Sequence, residues 1–267
     1  MTLPRRWADL KTTDFAQLDA ARTVAVLPLG ATEQHGPHLP LDVDRAIAEG
    51  MVAAALPKLD AAVPVVVLPA QSIGYSPEHV AFEGTLTLPY EAVLASWIAI
   101  GESVARAGLK KLVLFNAHGG QSSLLDIAAR ELRGKGLIVY RCDWWNLPLG
   151  ESVTNLFSAD EHRFGVHGGE IETSLMLALA PQHVDMAKAQ DFGSTSRDRA
   201  GRFPVMGQAA KLAWHIQDYN ELGAAGNAKA ATAEKGRALL EAAASQLATL
   251  IREVSELPLS TLRERKR

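Results

Sequence analysis

The sequence predicts an α/β fold: a three-layer α/β/α arrangement around a mostly parallel central sheet. Three observations carry this. Apolar, β-branched runs alternate with stretches of helical period through the first half of the chain. The run at 23–29, TVAVLPL, is apolar at successive positions, as a strand covered on both faces must be. Polar clusters rich in His, Asp, Glu and Gly follow the apolar elements, where open parallel sheets place their ligands.

In chain order, residues 23–29 form the first strand. Residues 45–56 have helical apolar period, and Asp44 at their start suits the positive end of a helix. A second strand is expected over 62–69. The polar stretch 71–88 has no period of its own, and loops of that length are often functional. Pro89 opens a helix over 90–106, with Val93, Leu94, Trp97, Ile98 and Val104 on one stripe and Gly108 as its stop. Residues 111–115 form a third strand running into 116–121. A helix over 124–132 and a strand over 137–140 follow, and the strand ends at Asp143, Trp144 and Trp145. The second half is less regular: a short helix over 172–179, irregular chain with some strand over 191–219, and a long alanine-rich helix over 230–254. No linker, repeat or low-complexity block interrupts this order, so residues 1–267 are expected to form a single domain.

A chain of 267 residues at 48% hydrophobic composition can bury a large core without covalent staples. Cys142, the single cysteine, has no partner for a disulfide or a thiolate metal site, so any metal must be held by His and carboxylates. The formal net charge of −3 gives no electrostatic case for nucleic acid or an anionic membrane surface. No apolar run reaches membrane-spanning length, and a cytoplasmic protein is expected.

The chemistry concentrates in four clusters. In extended geometry Glu33 and His35 point the same way, and Asp44 returns a turn later. His118 follows the third strand, and Glu172 lies in the stretch 162–174. Parallel strand ends lie side by side, so Glu33, His35, Asp44, His118 and Glu172 can converge as oxygen and nitrogen ligands. Such a set suits Zn, Mn or Fe, and one bridging carboxylate would allow two divalent ions, roughly 3.5–4 Å apart. Ions so held bring the pKa of water toward about 7 and polarise a carbonyl. An amide also needs a proton on its departing nitrogen, for which His167 is the candidate. The backbone at Gly119 and Gly120 could approach a developing oxyanion. Ser76, His79, Trp144 and Trp145 are the candidates to contact substrate.

Several of these residues have a second reading. Glu172 suits a helix's first turn for dipole reasons alone. His79 could simply pin its loop, and the two tryptophans could fill core. For His38, Asp42 and His162 a structural role is favoured, Glu170 is expected to be solvated, and Cys142 is a small buried residue.

The motifs 33–40 (EQHGPHLP) with Asp44, 74–85, 116–120 (NAHGG), His167-Gly168-Gly169 with 172–174, and 223–236 resemble, in order, those of the creatininase (creatinine amidohydrolase) family. The resemblance implies an α/β/α metal-dependent hydrolase acting on carbon–nitrogen bonds, often hexameric. It carries Glu33, Asp44 and His118 onto one metal, His35 with the shared Asp44 onto the other, and His167 onto the catalytic histidine. Creatininase proper has Glu where this chain has Gly120, and acidic and tryptophan residues where it has Arg163 and Phe164. The chain is therefore similar to broader-family members that cleave formamides or peptides, with Glu172 completing the second metal site and taking part in catalysis. The expected substrate is a small molecule with a cyclic amide, formamide or peptide-like bond, and the expected assembly a homo-oligomer. Two alternatives stand beside it: a phosphoester hydrolase, which would need Arg45 or Arg163 at the site, and a metal-holding scaffold without turnover.

Overall fold

A computed structural model describes residues 3–203, 205 and 210–263. Its centre is a four-stranded, all-parallel sheet in the order β2-β1-β3-β4, built from β1 (Val24–Leu29), β2 (Val65–Val67), β3 (Lys111–Asn116) and β4 (Ile138–Asp143). Every residue of β1 and β3 is buried, as expected of central strands covered on both faces. The register pairs Leu29 with Asn116 and Asn116 with Asp143, so three strands end level at one edge.

Alternate side chains of each strand feed two separate cores. Val24, Val26, Val113 and Phe115 meet α1 (Val43–Ala55), α6 (Glu170–Leu179) and α8 (Ala233–Glu256) on one face. Ala25, Leu27, Leu112 and Leu114 meet α2 (Tyr90–Arg106) and α3 (Ser122–Gly134) on the other. The result is the three-layer α/β/α fold that the alternating sequence predicts. The helices form where apolar residues recur at helical spacing: Val93, Trp97 and Val104 are the buried stripe of α2, and Leu239, Ala243, Leu247, Ile251 and Val254 that of α8.

The second half holds more helix than its sequence predicts. Two short helices, α4 (Glu151–Thr154) and α5 (Ala159–Phe164), and one of eight residues, α7 (Thr195–Arg202), lie in stretches expected to be irregular or left unassigned. α7 reads TSRDRAGR and buries none of its residues, so no apolar stripe announces it; its Ser194 side chain accepts from the Ser196 amide at its start. Strand in this region is limited to a two-residue antiparallel pair, β5 (Asp191–Phe192) with β6 (Gly226–Asn227). β2 is also shorter than the apolar run 62–69 suggests, lying between Pro64 and Pro69.

At the sheet's opposite edge Lys111 is fully buried, and its ammonium donates to the carbonyls of Ser255 and Leu257, each at 2.6 Å. These are carbonyls at the end of α8, which have no partner within their own helix and carry its negative dipole end. Replacing Lys111 with Met leaves them buried and unpaired, and should destabilise the protein by about 1–3 kcal/mol. Urea denaturation measures this; an unchanged midpoint would mean that the ammonium does not terminate α8.

Candidate metal centre

The level strand ends bring the polar clusters together. After β1 the chain delivers Glu33 and His35. It then turns back into α1, where Asp44 lies in the first turn. That return is tight: a Cβ on Gly30 would lie 2.5 Å from the Arg45 nitrogen and 2.8 Å from the Asp44 carbonyl carbon, so only glycine lets α1 begin against the end of β1. β3 delivers His118, and the loop after β2 delivers Ser76, Glu78 and His79 in and beside a 3-10 turn at Pro77–His79. Glu172 comes from the first turn of α6, and His167 from the preceding loop, held by a two-way backbone bridge to Ala225.

Asp44 is the hinge of the geometry. Its Oδ1 lies 3.3 Å from His35 Nε2 and its Oδ2 3.3 Å from His118 Nδ1. Glu33 Oε1 faces His118 Nδ1 at 3.3 Å, His79 Nε2 at 3.4 Å and His167 Nδ1 at 3.8 Å. Glu172 Oε2 is 4.0 Å from His35 Nε2, and it also accepts a 2.6 Å hydrogen bond from the Gly168 amide. Three sets, Glu33–His35–Asp44, Glu33–His79–His167 and His35–His167–Glu172, each bring their ligand atoms within 4.8 Å of one another.

The rings are oriented from behind. His35 Nδ1 lies 3.0 Å from the Glu33 carbonyl and His118 Nε2 2.9 Å from the Tyr75 carbonyl, which leaves the other nitrogen of each turned inward. His167 Nε2 lies 2.6 Å from the Gln34 carbonyl. Asn116 accepts from the His118 amide and donates to the His118 carbonyl and to Asp143, so a polar chain along the edges of β3 and β4 fixes the backbone that carries His118.

Charge explains what this arrangement can bind. Glu33 and Asp44 are 0% and 2% exposed. Burial opposes a charge on His35, yet Asp44, with help from Glu172 and Glu33, raises the ring to about 9. His118 is likewise lifted well above its ordinary value against burial, by Glu33 and Asp44. Burial would raise Asp44, but the His35 and His118 rings hold it below the usual carboxylate range. Burial pushes Glu172 up to about 7. His79 and His167 are held well below the ordinary histidine value by burial and by the neighbouring rings. Among the described residues, both Glu33 carboxylate oxygens, His35 Nε2 and Asp44 Oδ2 are buried with no hydrogen-bond partner. Native proteins rarely bury such atoms unsatisfied. A hard or borderline divalent cation, ligated by oxygen and imidazole nitrogen, satisfies all of them.

Some expected site residues lie elsewhere or do something different. Ser76 is fully buried with Oγ 3.3 Å from His118 Nε2, behind that ring. Trp144 is buried in the core beneath α1 and α8, so its bulk goes to packing; Trp145, edge-on to it, is 41% exposed. Gly119 and Gly120 lie exposed in the turn after His118. His79 faces Glu33 directly, its Nε2 3.4 Å from Oε1. Glu170, expected to be solvated, is buried and ion-paired with Lys235. His38, Asp42 and His162 bond to Thr173, Arg45 and the Thr154 carbonyl, respectively, outside the cluster. Sequence reasoning missed Gln34, whose side-chain nitrogen lies 2.8 Å from His79 Nδ1. Its position between Glu33 and His35 was the only available signal.

A sequence profile of the family described as creatininase (creatinine amidohydrolase) matches residues 8–251. The chain is 32% identical over 243 residues to a mycofactocin precursor peptide peptidase of Mycobacterium tuberculosis, covering 88% of this chain and 86% of that protein. It is 29% identical over 252 residues to a creatinine amidohydrolase of Pseudomonas putida, covering 89% and 92%. A solved structure of creatininase with manganese superposes with a TM-score of 0.74 at 28% identity, over 94% of this chain and 98% of that one. The clustered carboxylates and imidazoles at the sheet edge, the three-layer fold and these likenesses across nearly the whole chain have one common account: it belongs to the creatininase family, as a broader member rather than creatininase proper.

Proposed function

We propose that this protein is a metal-dependent amidohydrolase that cleaves a non-standard carbon–nitrogen bond, in a cyclic amide, a formamide or a small peptide-like substrate. The observation that carries this is the set of buried, unpartnered atoms on Glu33, His35 and Asp44, which a divalent cation completes. The naming of one relative as a peptide peptidase, and Gly120 standing where creatininase carries Glu, both favour a substrate other than creatinine. Asp44 would be shared: Glu33, Asp44 and His118 hold one ion, and His35, Asp44 and Glu172 the second, with Mn, Zn or Fe as the metal.

A bound cation supplies Lewis acidity to the carbonyl and lowers the pKa of water. The chain's own residues manage orientation and protons. His167 is neutral near pH 7, and its Nε2 faces the Gln34 carbonyl, so its N–H belongs there and Nδ1 points at the cluster as an acceptor. It can take a proton from the attacking water at Nδ1 and return it to the departing nitrogen. Glu172, which burial pushes up to about 7, would be held in its charged form as a ligand of the second ion. The exposed backbone at Gly119 and Gly120 leaves room for a carbonyl oxygen.

The phosphoester alternative is poorly supported: Arg45 pairs with Asp42 and Glu49, and Arg163 lies 5.0 Å over the Phe164 ring, so neither is directed at the cluster. The same proposal takes residues 1–267 as a single cytoplasmic domain working as a homo-oligomer. Exposed apolar side chains at Ile73, Val80, Leu86 and Tyr90 favour assembly. No described helix is long and apolar enough to cross a membrane.

Elemental analysis of the purified protein should find close to two divalent ions per chain. Asp44→Asn should lose both the bound metal and hydrolysis of a panel of amides, formamides and lactams. Hydrolysis persisting in metal-free protein would refute the proposal. His167→Ala should keep the metal and lower kcat by about 10²–10⁴-fold, the usual worth of a positioned acid–base group; loss of metal instead would make His167 a ligand.

The metal-free and loaded proteins should also respond differently to pH. His35 is raised from 6.5 to about 9, so the stability it contributes is present in full below 6.5 and lost as pH rises through 9. Glu172, an acid raised from 4.5 to about 7, also removes stability as pH rises through its own range. The depressed His79 and His167 act only below 6.5, where they take stability away as pH falls. Metal-free protein should therefore melt at lower temperature at pH 9 than at pH 7. Metal competes with the same protons and binds more tightly over that window. The gap in Tm with and without Mn²⁺ should widen from pH 7 to pH 9, and a constant gap would contradict this linkage.

A further inference from the structure

Gly119 and Gly120 follow His118 as a pair, but their surroundings differ. A Cβ on Gly119 would meet nothing within 4 Å. One on Gly120 would lie 1.8 Å from Glu78 Oε1, 2.8 Å from Glu78 Cδ and 2.7 Å from His118 Nε2. The space that a side chain at 120 would enter is shared by the His118 ring and the tip of a carboxylate from the loop after β2. That carboxylate is held in place: Pro77 presets the 3-10 turn, the His79 amide donates to the Ser76 carbonyl, and the Glu78 side chain is 11% exposed.

Glu78 Oε1 lies 3.8 Å from His118 Nε2, on the edge of the ring that also faces the Tyr75 carbonyl and Ser76 Oγ. The opposite nitrogen, Nδ1, faces Glu33 and Asp44. Three acceptors therefore surround the outer nitrogen of a ring whose inner nitrogen points into the cluster. Negative charge behind a metal-bound imidazole makes its inner nitrogen a better ligand and fixes which nitrogen keeps the hydrogen.

We propose that Glu78 is a positioning residue for the metal centre, acting through His118. This rests on the reading of the cluster as a metal centre. It adds to that reading a carboxylate outside the ligand set.

Glu78→Gln keeps the volume and removes the charge. It should weaken Mn²⁺ binding about tenfold, measured by chelator competition, and shift the visible absorption of the Co²⁺-loaded protein. A side chain that merely fills space would leave both unchanged in this variant. Glu78→Ala should weaken binding similarly. If wild-type protein binds no divalent cation, the metal-centre reading fails and the role of Glu78 with it. If wild type binds and Glu78→Gln binds equally well with the same Co²⁺ spectrum, the role of Glu78 alone is overturned.

Discussion

Glu33 and Asp44 are carboxylates removed from water and placed within reach of the same His118 nitrogen. Burying negative charge this completely costs several kcal/mol per ion unless positive charge is brought to it. The nearest compensation is from His35 and His118, whose rings the carboxylates shift toward the protonated form. It is incomplete, since carboxylate oxygens of both residues remain without hydrogen-bond partners. A buried cluster of this kind favours positive charge, and the two rings face the carboxylates where it is needed.

The rest of the fold keeps those groups in place. An all-parallel sheet puts the ends of β1, β3 and β4 side by side, and hydrophobic layers pack both faces behind them. The close start of α1 against β1 at Gly30 brings Asp44 back to Glu33. Backbone carbonyls of Glu33, Gln34 and Tyr75 each face the outer nitrogen of one ring. Orientation by main chain, rather than by mobile side chains, is what a centre of fixed geometry needs.

At the turn after His118 two glycines, Gly119 and Gly120, leave the strand end free of side chains, and the Glu78 carboxylate from another loop comes to 3.8 Å from His118 Nε2.

Much of this was legible before any coordinates. Successive apolar positions in 23–29 required a strand covered on both faces, and the stripe of 90–106 required a helix packed along one side, because burial imposes period on sequence. The grouping of Glu33, His35 and Asp44 was also readable, since a strand exit and a helix start lie within a dozen residues. Groups with no local signature were not. α7 packs no apolar stripe, Glu170 owes its burial to Lys235 on another helix, and Trp144 turned into the core although its neighbour did not. His79 and Glu78 reached Glu33 and His118 only because a long loop folds back over the sheet edge. The sequence alone determined which residue types were available and which segments had to be strand or helix, since those follow from chemistry and period along the chain. Which side chains share one buried space was decided by the tertiary structure, because contact across the ends of separate strands leaves no periodic trace in any of them.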